Sequence, residues 1–217
     1  MKPRLSATAI LRRFGAAALA LIWLGTAPAL AADLRPRIVV LGDSLVAGYG
    51  LPTKDAFPAK LQAALEARGV DIDVVDSGVS GDTSAGGRAR LDLVLAEPPR
   101  AVLLELGAND GLRGLKPGAT EENLDAIIGE LRRRRIKVLL AGMYAPPNLG
   151  RDYGQAFNAV YPRLAKVHSI PLYPFFLEGV AGVPELNQPD GLHPNAKGVD
   201  VIVERILPYV LKLLGRS

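Results

Sequence analysis

Three residues of this 217-residue chain could together activate an oxygen nucleophile: Ser44, His193 and Asp190. A serine hydroxyl attacks poorly at neutral pH. It needs a base within hydrogen-bond reach and a third group that orients the base. The chain offers two histidines. His168 falls near the end of a predicted helix, far from any strand-end loop, and reads as a surface or core histidine. His193 follows Asp190 by three residues, with Gly191 available for a tight turn between them. That spacing lets the carboxylate approach the imidazole and fix its tautomer. A plainer reading has Asp190 or Asn195 only helping a turn and a helix that starts at Pro194. The residue types by themselves leave both readings open.

Ser44 lies in "IVVLGDSLVAGYG", Ile38 to Gly50, where an apolar run stops at Gly42-Asp43-Ser44. Such a glycine-rich turn could present a nucleophile, or it could cradle a phosphate or a flavin in a module without hydrolase activity. The 42–50 loop carries no basic residue and does carry Asp43, which repels phosphate. Asp43 itself suits a structural part, bonding nearby backbone amides and shaping the turn. Acyl transfer also needs donors for a developing oxyanion. The Ser44 N–H is one candidate if a helix begins there. Gly81 is a second, because glycine lets backbone approach a substrate closely. The Asn109 side-chain amide is a third, with a strand-capping turn as its plainer alternative. No G-x-S-x-G elbow surrounds the serine, since Val46 stands at its second glycine position.

The elements that must position these residues alternate. Five apolar runs predict strands over 37–41, 72–75, 101–106, 137–142 and 172–176. Helical patterns fall over 56–68, 85–96, 121–135 and 153–167. A last helix is predicted from Pro194 to about Leu214, kinked or ended early by Pro208. Apolar runs without alternation imply strands covered on both faces, as in a parallel sheet. The predicted fold is therefore a three-layer α/β/α sandwich around a five-stranded parallel sheet, in the flavodoxin-like order 2-1-3-4-5. Ligands of such sheets bind beyond the carboxyl ends of the strands. Ser44, Gly81, Asn109 and the Asp190–His193 pair all follow strand ends and converge on that edge. Leu45, Tyr49, Leu51, Tyr144, Pro146, Pro147 and Leu149 lie in the same loops and could line an apolar acyl groove.

Composition narrows the function classes. The start of the chain carries Lys2, Arg4, Arg12 and Arg13, then the uncharged run "AAALALIWL", then small residues at Ala29 and Ala31. This order reads as a secretory leader over residues 1–31, cleaved after Ala31, which leaves a single domain over 32–217 and no stable membrane insertion. An uncleaved anchor is the alternative, since the uncharged stretch is long enough to span. The twin arginine at 12–13 fits a twin-arginine export signal poorly. The leader holds four of the 26 basic residues and none of the 22 acidic ones, so the remainder balances at 26 − 4 = 22 against 22. The basic balance belongs to the leader and gives no case for nucleic-acid binding. The "RRRR" run at 132–135 reads as a solvated helix end. Cysteine is absent, which excludes disulfides and thiolate chemistry and fits a bacterial periplasm or exterior. Oligomeric state leaves no mark in the sequence.

The segments "GDSLVAGYG", "GVSGDTSAGG", "ELGANDGLRG" and "DGLHPN" resemble, in order and spacing, the four blocks of the SGNH (GDSL) hydrolases. The resemblance runs over nearly the whole chain after the leader. It points to the group of periplasmic thioesterases, lysophospholipases and arylesterases. It implies Ser44 as nucleophile, His193 as base with Asp190 behind it, and Ser44, Gly81 and Asn109 as the oxyanion donors. It further implies a small-molecule acyl ester or thioester as substrate, and neither metal nor organic cofactor.

Overall fold

The computed structural model describes residues 35–216; the expected leader and its cleavage point after Ala31 lie outside the described residues. Five strands form one parallel sheet: β1 (Arg37–Gly42), β2 (Asp73–Gly78), β3 (Ala101–Glu105), β4 (Lys137–Ala141) and β5 (Leu172–Tyr173). Their order is β2-β1-β3-β4-β5, as expected from the sequence. In register, Gly42 pairs with Gly78 across β1 and β2, and Leu41 pairs with Leu104 across β1 and β3. The carboxyl ends of the first three strands therefore lie level.

The three central strands are apolar almost throughout, because each has helices on both faces. Ile38, Val40, Leu41, Leu103, Leu104, Leu139 and Leu140 are fully buried. Burying each such side chain stabilises the fold by roughly 1.5–3 kcal/mol relative to exposure. One helical group comprises α1 (Ser44–Ala47), α2 (Phe57–Glu66) and α9 (Ala196–Leu214). The other comprises α3 (Ser84–Ala89), α4 (Leu91–Val94), α5 (Ala108–Leu112), α6 (Pro117–Arg133), α7 (Arg151–Asn158) and α8 (Val160–His168).

Several boundaries differ from the sequence-based expectation, each for a local reason. β5 stops at Tyr173, after which Phe176 rather than Phe175 donates to the Gly142 carbonyl and the regular ladder to β4 ends. The helix predicted over 85–96 breaks at Arg90 into α3 and α4. The one predicted over 153–167 breaks at Ala159, where Pro162 cannot donate to the Asn158 carbonyl. α6 begins earlier than predicted, with Pro117 in its first turn. α9 begins at Ala196 rather than Pro194; Asn195 caps it by accepting from the Lys197 and Gly198 N–H groups, while Pro194 bridges to Asn187. Pro208 lies inside α9 without ending it, and Glu204, whose carbonyl it leaves without its helical donor, is an exposed residue. No helix among the described residues is long and apolar enough to cross a membrane.

Candidate active site

The turn after β1 is built around Asp43. Its carboxylate caps α1 by accepting the Leu45 N–H (3.0 Å), and its carbonyl accepts from Ala47 (3.0 Å). Ser44 is thereby the first residue of a four-residue helix that ends at Gly48 in the left-handed region. Three of the loop amides that a phosphate cradle could use are engaged: Leu45 with Asp43, Ala47 with Asp43, and Tyr49 with Ser44. The N–H groups of Ser44 and Gly81 make no hydrogen bond among the described residues. Gly81 owes its place to a positive φ of 85°, which L side chains rarely adopt.

His193 arrives from the long loop before α9. The Ser44 hydroxyl donates to His193 Nε2 (2.9 Å), and His193 Nδ1 donates to Asp190 Oδ2 (2.7 Å). The other carboxylate oxygen accepts the N–H groups of Leu192 (2.9 Å) and His193 (3.0 Å). Asp190 thus grips the turn and the ring together. The backbone N–H groups of His193 and Leu192, then the His193 side chain, lower its carboxyl to about 2. His168 stands elsewhere, paired with Asp125 at 2.7 Å.

Asn109 opens α5 beside the serine. Its amide donates to the Asp82 carbonyl (2.9 Å) and to Asp43 Oδ2 (3.1 Å). The neighbouring Asp110 is buried and accepts the Ser84 N–H (2.7 Å), the Ser84 hydroxyl (2.5 Å) and the Thr120 hydroxyl (3.0 Å). Those bonds fasten α5 to α3 and α6. Ser44, His193, Asp190 and the three expected donors thus meet at one sheet edge, an arrangement compatible with acyl transfer. Among the described residues no group of three His, Cys, Asp or Glu side chains is placed to hold a metal ion.

Residues 40–201 match the model of the GDSL-like Lipase/Acylhydrolase family. The chain belongs to that family. It is 44% identical over 178 residues to Esterase TesA of Pseudomonas aeruginosa, covering 82% of this chain and 89% of the relative. It is likewise 44% identical over 190 residues to Thioesterase 1/protease 1/lysophospholipase L1 of Escherichia coli K12, covering 87% and 88%. Among solved structures, the psychrotrophic esterase EstA from Pseudoalteromonas superimposes with a TM-score of 0.79 at 35% identity. That match covers 83% of this chain and 99% of EstA.

In this acylhydrolase a cavity of about 470 Å³ opens beside Ser44. Leu45, Tyr49, Tyr144, Pro146 and Pro147 line it, as expected from the sequence. Two other expected groove residues are absent from the lining. Leu51 packs against the core, and Leu149 lies in a short helical turn near Gly114. Met143, Phe175, Leu177, Ala181 and Leu192 line the cavity without having been foreseen. Tyr144 stacks on Phe175 with ring centroids 4.4 Å apart, making one wall aromatic. Tyr49 packs against His193 at 4.7 Å.

Two further residues of the acylhydrolase act on the site and were not foreseen. Gln188 Nε2 donates to the carbonyls of Tyr49 (2.7 Å) and Pro194 (3.0 Å), stitching the nucleophile loop to the base loop. Glu105, at the end of β3, is fully buried and accepts the Asp43 N–H (3.3 Å). Burial pushes the Glu105 carboxyl well up and raises Asp43 to about 6. No cation among the described residues pairs with Glu105 to oppose that upward shift.

Proposed function

We propose that this acylhydrolase cleaves carboxylic esters and thioesters by two-step acyl transfer through Ser44. His193 takes the serine proton through Nε2 as Oγ attacks the substrate carbonyl. Asp190 holds the tautomer that leaves Nε2 free to accept and stabilises the imidazolium that forms. The Ser44 and Gly81 N–H groups and the Asn109 amide receive the oxyanion. The Asn109 bond to Asp43 is the longer of its two and is the one an oxyanion competes for. His193 then protonates the leaving alcohol or thiol, and water repeats the sequence to release the acid.

The continuous hydrogen-bonded chain from Ser44 Oγ through His193 to Asp190, opening onto an apolar cavity, carries this reading. Phosphate or flavin binding has no such support, because the 42–50 loop has no basic residue and its Leu45, Ala47 and Tyr49 amides are engaged. The cavity lining favours apolar acyl groups on varied leaving groups, in keeping with relatives named esterase, arylesterase and thioesterase/lysophospholipase. Turnover of p-nitrophenyl acetate, of longer p-nitrophenyl esters and of acyl-CoA, with Ser44→Ala as control, tests it. Wild-type turnover should exceed that of the variant by at least about 10³-fold. Equal rates would sink the reading. We further infer export to the periplasm with cleavage after Ala31, supported by the leader pattern. Amino-terminal sequencing of the protein from a periplasmic extract should begin at Ala32, and a start at Met1 would refute cleavage.

A further inference from the structure

Arg90 stands at the break between α3 and α4 and reaches inward rather than along a helix surface. Its Nε donates to Asp82 Oδ2 (2.7 Å), and Nη2 donates to the carbonyls of Gly42 (3.0 Å) and Ser77 (2.8 Å). One planar group therefore ties together the end of β1, the end of β2 and the residue that follows Gly81. The pair is sheltered, with side-chain exposures of 20% for Arg90 and 16% for Asp82. The main chain of the same Asp82 is held from the other side, where its carbonyl accepts the Asn109 amide. Asp82 is thus the joint between the two donors that come from outside the nucleophile turn. The backbone of Arg90, at φ −100° and ψ 7°, interrupts what its sequence pattern predicts as one helix. The interruption turns the guanidinium towards the strand ends.

We propose that Arg90 is a positioning residue of the oxyanion hole. It holds Asp82, and through it the Gly81 N–H and the Asn109 amide, in register with the Ser44 N–H. The proposal rests on the assignment of those three donors made above. Two effects combine. The fork of donors fixes three acceptors at once, which a lysine ammonium cannot reproduce from a single point. The guanidinium also neutralises a carboxylate next to the place where negative charge develops. Without it, Asp82 would oppose that charge in a partly dehydrated setting.

The test measures kcat, KM and thermal midpoint on a p-nitrophenyl ester for Arg90→Met, Arg90→Lys, Arg90→Ala and Asp82→Asn. A fluorophosphonate titration counts folded, competent sites in each preparation. Wild type and Ser44→Ala are run alongside. Arg90→Met should lower kcat per titrated site by roughly 10²-fold with KM within about threefold, the pattern of an interaction made in the transition state. Arg90→Lys should recover only part of the loss, and added guanidinium should raise kcat of Arg90→Ala but leave wild type unchanged. Should Arg90→Met fail to fold, the Lys variant and the guanidinium response decide. Unchanged kcat per titrated site in Arg90→Met overturns the proposal. So does a loss that disappears once competent sites are counted, or a guanidinium effect shared with wild type. Wild type no faster than Ser44→Ala would instead overturn the catalytic assignment itself, so the two failures are distinguishable.

Discussion

Gly42→Ala places one methyl group where the nucleophile strand meets its neighbour. A Cβ built there would lie 2.8 Å from the Glu105 carbonyl and 2.5 Å from its side-chain Oε2, and closer still to Val46. Ordinary contact begins near 3.4 Å, so the β3 backbone must recede by 3.4 − 2.8 = 0.6 Å or β1 must move away from it. Val46 belongs to α1, whose first residue is Ser44, so the same methyl pushes the nucleophile turn outward. Overpacking of this kind costs about 1–3 kcal/mol. For a domain of this size that lowers the thermal midpoint by roughly 2–4 °C per kcal/mol. Activity should suffer more than stability, because a shift of about 1 Å at the reacting atoms is enough to cost on the order of 10²-fold in rate. Differential scanning fluorimetry and kcat/KM on p-nitrophenyl butyrate, measured well below the midpoint, check both numbers. A variant with wild-type kcat/KM and an unmoved midpoint would refute the claim that Gly42 sets the nucleophile's place by its lack of a side chain.

Gly129, on the exposed face of α6 with nothing within 4 Å of where a methyl would sit, gives the opposite result: Gly129→Ala should stabilise by about 0.5–1 kcal/mol in chemical denaturation and leave kcat unchanged. Asp43 is fully buried with its carboxyl raised from 3.8 to about 6, so its contribution to stability is present below pH 4 and lost as pH rises through about 6. Relative to Asp43→Asn, wild type should lose roughly 3 kcal/mol between those pH values, and a pH-independent difference between the two would count against the burial argument. Tyr144→Ala removes half of the aromatic wall and should raise KM for octanoyl esters by roughly three- to tenfold while sparing acetate, as measured by a chain-length series.

The central sheet was legible because strands buried on both faces read as unbroken apolar runs, and β1, β3 and β4 are of that kind. The two edge strands were read less well for the same physical reason. β2 is half exposed, so its polar residues, Asp76 and Ser77 among them, obscured how far it runs, and β5 ends where its ladder to β4 slips by one residue at Phe176. At the site, His193 stands out because the chain has only two histidines, and Asp190 because it lies three residues before it, whereas Ser44 is marked only by the turn that ends an apolar run. The short helix at Ser44 could be anticipated from the Asp43 cap. The groove was only half legible, since Met143 and Phe175 belong to segments that read simply as apolar.

Gln188 and Arg90 escaped notice because their partners include main-chain groups distant in sequence. Gln188 bonds the carbonyl of Tyr49, and Arg90 bonds that of Gly42. A carbonyl is present at every position, so nothing in the residue types marks which one a glutamine or an arginine will meet. Glu105 is the converse case, a carboxyl inside an apolar run, where the sequence shows the anomaly but only the fold supplies its acceptor role towards Asp43. On the proposed mechanism, loss of Ser44 or His193 removes a reacting group outright. Loss of Arg90 or Gln188 should leave every reacting group present but slightly displaced, since only the bonds that position the loops are removed. Their effects should therefore concentrate in kcat, because an ester already bound in the apolar cavity keeps its acyl contacts while its carbonyl falls out of line with the donors.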